Sequence, residues 1–175
     1  MDTKGSTRGH LVIPGLLIVG TLAATAVRIP ATSFRGYFHL GEAIIFTAAL
    51  LFGPLTGAIA GSVGSALADL VLGVPVWAPF SFVIKGFEGF VVGFLSGQAE
   101  PRRDVAAMAA GGLVMIAGYA VAVAFIEGPR IVPREVAGDL GQVLVGGIIA
   151  FLVTNAVRRA YPEVAGYREG PGKRR

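Results

Sequence analysis

Apolar residues run along this chain in long blocks separated by short polar or Gly/Pro-containing breaks, and the blocks predict helices. Six can be drawn, at roughly 11–27, 39–52, 54–72, 80–97, 105–126 and 138–157. A helix that crosses a bilayer needs about 20 apolar residues, with a range of about 17–25. Most of the six are near that length; the second is short. Only Phe52, Gly53 and Pro54 separate the second block from the third. Proline suits the first turn of a new helix and glycine the turn before it, so this junction predicts a tight helix–turn–helix. The expectation is a single all-α membrane domain, a six-helix bundle with a basic tail over 158–175.

Composition supports that class. The chain is 54% hydrophobic and 15% charged, with no cysteine, whereas soluble domains carry about 25% charged residues. Disulfides, thiol catalysis and thiolate metal sites are thereby excluded. Glycine, at 26 residues, is frequent in membrane helices because it lets backbones approach. The cations are unevenly placed. With six spans and the N-terminus inside, the inner segments hold ten: Lys4, Arg8, Arg102, Arg103, Arg158, Arg159, Arg168, Lys173, Arg174 and Arg175. The outer loops hold four, Arg28, Arg35, Arg130 and Arg134, and Lys85 completes the set. That excess predicts both termini in the cytoplasm. Basic tails alone do not argue for nucleic acid, because the rest of the chain is a bilayer solute. The start also admits a cleaved signal peptide ending near Ala24–Ala26, but its apolar run is long for one, and retention as the first span is the expectation.

One block breaks the pattern. "FSFVIKGFEGFVVGF" (80–94) places Lys85 and Glu88 inside an apolar run. At about 1.5 Å per residue from an outer start near Phe80, Lys85 lies about 8 Å deep and Glu88 about 12 Å, against a hydrocarbon half-thickness of about 15 Å. The i, i+3 spacing puts both on one face. Glu42, Asp69, Glu127 and Gln142 fall at a similar level, and the outer loops add Arg35, Tyr37, His39, Trp77, Arg130 and Arg134. The inner half has little comparable beyond Asn155. Ionisable groups within a span usually face the bundle interior and mark a substrate or ion path. The expectation is a polar pocket open to the outside and closed below by apolar packing. The plainer reading is that Lys85 pairs with Glu88 or Asp69 and only locks helices. Trp77 suits either an interfacial belt or a stacking surface for a flat ligand.

Small residues form ridges. Gly57, Gly61 and Ser65 recur at four-residue intervals on the third block, as do Gly89, Gly93 and Gly97 on the fourth. Such strips allow close helix packing, either inside the bundle or against a separate membrane partner. For the second use the stretch from Gly57 to Ser65 is the better candidate. There is no Walker-type phosphate loop, no HExxH and no GxSxG. His10 and His39 are too far apart in sequence to argue for metal binding. No cofactor or metal is expected, and nothing argues for an enzyme.

The run "YFHLGEAIIFTAALLFGPLTGAIAGSVGSALADLVLGVPVWAPFSFVIKGFEGFVVGFLSG" (37–97) resembles the substrate-binding S components of energy-coupling factor (ECF) vitamin transporters. The blocks LGEAIIF, LLFGPLTGAIAG, GSALADL, APF and IKGFEG carry the resemblance, over about a third of the chain. It implies a six-helix binding subunit that captures a vitamin or precursor from outside. The pocket would be formed by spans four to six with the outer loops. It also implies partners: a transmembrane coupling protein and two cytosolic ATPases, with the S component toppling in the membrane during transport. The family's alanine strip on span one is not met here; Gly20 and Ala24 are the nearest small pair, so the Gly57/Gly61/Ser65 ridge is expected to contribute to docking. Trp77, Lys85, Glu88 and the loop arginines suit a flat heteroaromatic such as riboflavin, pyridoxine or a thiamin precursor. Two other classes fit the bundle: a self-contained carrier or channel using Lys85 and Glu88 for proton coupling, and a small membrane enzyme or assembly factor. Gradient-driven uptake by the chain alone would identify the first, and substrate turnover the second.

Overall fold

The computed structural model describes residues 4–27, 29–30, 37–97 and 100–162. The described chain forms six helices: α1 (Lys4–Ala26), α2 (Gly41–Phe52), α3 (Pro54–Val71), α4 (Ala78–Leu95), α5 (Pro101–Ile126) and α6 (Val132–Ala160). The all-helical expectation needs one addition. Between α1 and α2, β1 (Ile29–Pro30) pairs antiparallel with β2 (Tyr37–Phe38), with Ile29 opposite Phe38 and Pro30 opposite Tyr37. This ribbon reaches α6.

Helices α3, α4, α5 and α6 are each long and apolar enough to cross a bilayer; α2 and the apolar part of α1, Val12–Ala26, are shorter. The outside of the bundle is apolar, with Leu55, Phe82, Phe87, Phe94, Leu113, Phe125, Leu144 and Leu152 all exposed. Glu42, Lys85, Glu88, Asp104 and Asp139 are buried inside the bundle. That inverted distribution suits a protein surrounded by lipid.

Helix α2 is the centre of the bundle. Its 12 residues rise about 18 Å, well short of the roughly 30 Å hydrocarbon core. It does not need that length, because Gly41, Glu42, Ala43, Ile45, Phe46 and Ala48–Leu51 are all buried against α1, α3, α4 and α6. Ile45, Phe46, Ala49 and Leu50 pack with Val92 of α4, Ala107 and Met108 of α5 and Ala150 of α6 to make the apolar core. The turn out of α2 is a single residue. Gly53, at φ 89° and ψ −175°, donates its N–H to Ala49 O, and Pro54 begins α3. Only glycine adopts that backbone region readily, so the predicted tight turn is built on Gly53.

Four helices begin earlier than their apolar blocks, α1 at Lys4 and α4 at Ala78 as well as α5 and α6. Helix α6 starts at Val132 and α5 at Pro101, because each has a polar first turn that hydropathy alone cuts away. Asp104 in the first turn of α5 is buried and pairs with Arg158 in the last turn of α6; Arg158 also donates to Leu50 O of α2 at 3.0 Å. One guanidinium thus ties three helices at one end of the bundle. Losing one partner of a buried ion pair costs about 3–5 kcal/mol. Arg158→Ala is therefore expected to lower the thermal unfolding temperature in detergent, whereas Ala at the exposed neighbour Arg159 should leave it unchanged.

Of the two uses open to the glycine ridges, the structure shows packing inside the bundle. The row on α3 is turned inward. A Cβ on Gly57 would lie 2.6 Å from Ala49 Cβ and 2.7 Å from Gly89 O. One on Gly61 would fall on Lys85 O, one on Gly89 on Gly57 O, and one on Gly93 2.5 Å from Pro54. Ser65 is also buried. The two rows mesh with each other, so α3 and α4 touch backbone to backbone. On α1, Gly20 and Ala24 are half-buried, and a Cβ on Gly20 would meet Ile44 of α2 at 3.6 Å.

Candidate functional site: a buried polar cluster across four helices

Trp77, Ser81, Lys85 and Glu88 follow one another at helical spacing and form a single stripe at the start of α4 and along it. The stripe faces inward, with Ser81, Lys85 and Glu88 all buried. Lys85 Nζ binds Glu42 Oε1 of α2 and lies 3.3 Å from Glu88 Oε2. The carboxylates are fully enclosed, and the lysine side chain is 3% exposed. The ammonium also sits 5.4 Å from the centre of the Tyr119 ring on α5, within cation–π range. The Tyr119 hydroxyl shares a 2.7 Å hydrogen bond with Ser81. Trp77 leans over the same ring, with centroids 6.3 Å apart and planes at 47°.

Small residues make this convergence possible. Gly146 of α6 has no room for a Cβ beside Glu42, so α6 lies directly on α2 there. Gly118 lets α5 press on Ile84 of α4, which brings the adjacent Tyr119 over Lys85. Helix α6 supplies a second polar patch: Asp139 and Gln142 are buried on the same side as Gly146, and Gln142 Nε2 donates to Asp139 Oδ1 at 3.5 Å. Asp139 lies within electrostatic reach of both Lys85 and Glu42.

The sequence-derived candidates divide accordingly. Lys85, Glu88, Glu42 and Trp77 converge, and Gln142 joins from α6. Lys85 takes Glu88, one of its two expected partners, together with Glu42; Asp69 is half-buried on α3 near Tyr119. His39 sits at the start of α2, where Nδ1 accepts the Gly41 N–H at 3.3 Å. Glu127 and Arg130 are exposed at the end of α5 and beyond, away from the enclosed cluster. Arg35 and the Tyr37 side chain lie outside the described residues. Tyr119, Ser81 and Asp139 were not among the candidates. Tyr119 had a signal, being a polar ring in the middle of an otherwise apolar block.

Two carboxylates and an ammonium in a low-dielectric interior add little net stability over well-packed apolar side chains. Several acceptors also remain without a hydrogen-bond partner: Glu42 Oε2, Glu88 Oε1, Asp139 Oδ2 and Gln142 Oε1. Enclosed acceptors of this kind are costly and offer anchoring points for a ligand's donors.

Two comparisons bear on the family of the chain. The family described as "ECF-type riboflavin transporter, S component" matches residues 9–159. A Pyrococcus woesei protein, described as "Uncharacterized protein in gap 3'region", is 39% identical over 142 residues, spanning 78% of this chain and 95% of its own length. With six helices in a bundle and the match running from α1 to the last turn of α6, the chain belongs to the S component family of ECF-type riboflavin transporters.

Proposed function

We propose that this S component captures riboflavin from outside the cell and that the Glu42–Lys85–Glu88 cluster, under Trp77 and Tyr119, is part of the binding site. As a member of its family it is a substrate-binding subunit of the cell membrane for vitamin uptake, and ATP hydrolysis belongs to partner subunits. The observation that carries the site assignment is the convergence of α2, α4, α5 and α6 on enclosed, incompletely partnered polar groups beside two aromatic rings. Aromatic faces suit a flat ring system, and the free acceptors suit its N–H and hydroxyl donors. Both termini face the cytoplasm in this reading, which places Trp77 and the cluster in the outer half and the Arg158–Asp104 tie at the inner end. A transmembrane coupling protein and two cytosolic ATPases complete the transporter. The shortness of α2 and the inward α3 ridge leave the outer faces of α1 and α3 as the surfaces on which the coupling protein would dock.

Riboflavin fluorescence provides the test. Purified protein in detergent should quench it on binding, with saturation at one ligand per chain. Glu88→Gln should weaken binding by at least about tenfold, the equivalent of about 1.4 kcal/mol, with little change in unfolding temperature. Absence of saturable binding by the folded protein would overturn the flavin assignment, and unchanged affinity in Glu88→Gln would remove Glu88 from the site.

A further inference from the structure

We infer that the junction of α4 and α5 is a docking surface for one anionic phospholipid, with the headgroup on Arg102 and Arg103 and the acyl chains along the end of α4. The inference does not depend on the polar cluster, which lies toward the other end of α4. Arg102 and Arg103 stand in the first turn of α5, at the same end of the bundle as Arg158 and Arg159 in the last turn of α6. The Arg158 guanidinium is consumed by Asp104 and Leu50 O. Arg102 and Arg103 are exposed and make no ion pair among the described residues. Arg103 is nevertheless held in place. Its Nε donates to Leu95 O, at the last residue of α4, at 3.0 Å. Its stem lies on Gly97, where a Cβ would come within 2.6 Å of Arg103 Cδ. The rest of its planar fork is left for a ligand. The two arginines, with Glu100 and Pro101, line an open depression of about 640 Å³.

Guanidinium groups match phosphate oxygens in both charge and geometry. Two of them against the one carboxylate of Glu100 leave the depression with a surplus of positive charge, which suits a headgroup of net negative charge over a zwitterionic one. The surface beside it selects a lipid over a soluble anion. Phe94 and Leu95 at the end of α4 and Val105 just beyond the first turn of α5 are all exposed. Phe90 stacks on Phe94, with centroids 5.9 Å apart and planes at 10°, and carries the apolar surface one turn further along the span. A free phosphate would leave these side chains unused, whereas a phospholipid covers arginines and phenylalanines together. The coupling protein is assigned above to the faces of α1 and α3, which leaves this junction against the bilayer. In the topology proposed above the lipid belongs to the inner leaflet, where basic residues attract anionic headgroups.

Native mass spectrometry of the full chain in detergent, with phosphatidylglycerol and phosphatidylcholine added in equal amounts, tests this. One lipid should remain bound per chain, with phosphatidylglycerol favoured by about tenfold. Arg102→Gln/Arg103→Gln should bring that ratio close to one in protein that still unfolds cooperatively. Arg159→Gln removes a cation from the same end but outside the depression and should leave the ratio unchanged. A preference that survives the double variant overturns the inference. So does an effect of Arg159→Gln as large as that of the double variant, which would reveal only the general attraction of a basic surface. Displacement of the lipid by inorganic phosphate at equal concentration would mark a site for a soluble anion, and the inference would fall. It would fall equally if the double variant kept its lipid but no longer co-purified with the coupling protein, because the arginines would then belong to that partner.

Discussion

Lys85→Met is expected to abolish ligand binding and to lower the stability of the protein together. Methionine fills most of the volume of lysine and is at home in an apolar interior, so the loss is chiefly one of charge. It leaves the fully enclosed carboxyls of Glu42 and Glu88 without their cation. Removing one partner of a buried ion pair costs about 3–5 kcal/mol, a large share of the roughly 5–15 kcal/mol that holds a typical domain folded. Affinity should fall as well, because the ammonium positions both carboxylates; truncation of a buried charged partner typically costs about 2–5 kcal/mol of binding. The double variant Glu42→Gln/Lys85→Met separates the two effects. Removing one of the stranded carboxylates should restore part of the stability and none of the binding. Thermal unfolding and riboflavin titration on the same samples read both quantities, and the coupling between positions 42 and 85 follows from the double-mutant cycle. Unaltered stability and affinity in Lys85→Met would mean that the cluster neither holds the helices nor meets the ligand.

The pair at the centre of that cycle joins residues 43 positions apart, and this distance marks where sequence reasoning stopped. Hydropathy was enough to read a bundle of six helices, because a lipid-facing surface must be apolar and Leu55, Phe87, Phe125 and Leu144 record it directly. The short α2 was legible too, through Gly53 and Pro54. Lys85 and Glu88 stood out because a charge is rare in an apolar run. Glu42 was readable as a polar residue at the right level but not as the partner of Lys85, since depth along a helix does not say which way the helix turns. Asp139 lay inside the block drawn at 138–157, three residues before the candidate Gln142, and was passed over because it sits at the very start of that block. The α3 ridge was found by its spacing, but its neighbour was left open between the bundle and a partner: spacing shows that a face is narrow without showing what covers it. A second row at the same interval on the adjacent helix, Gly89 and Gly93, was the available sign that the two rows meet.

That meeting sets the second large effect, at Gly61. A docking role for the ridge would make Gly61→Leu impair assembly with the coupling protein while sparing binding. The structure predicts the reverse: a defect in the isolated subunit, with stability and binding lost together. The obstacle at Gly61 is the Lys85 backbone carbonyl, which has no rotamer by which to move aside. Overpacking a core costs about 1–3 kcal/mol where side chains can adjust, and a backbone contact belongs at or above the upper end of that range. Any shift that relieves it moves α4 at Lys85 itself, so the ammonium is displaced from Glu42 and from the Tyr119 ring. Gly138 supplies the control. It lies within α6, and a Cβ there would meet nothing within 4 Å. Gly138→Ala should therefore be neutral or stabilising by up to about 1 kcal/mol through helix propensity. Unfolding temperature and riboflavin affinity of the subunit alone should both collapse in Gly61→Leu and persist in Gly138→Ala. A Gly61→Leu subunit that keeps both would show that α3 and α4 do not cross at this point, and the ridge would again be available to a partner.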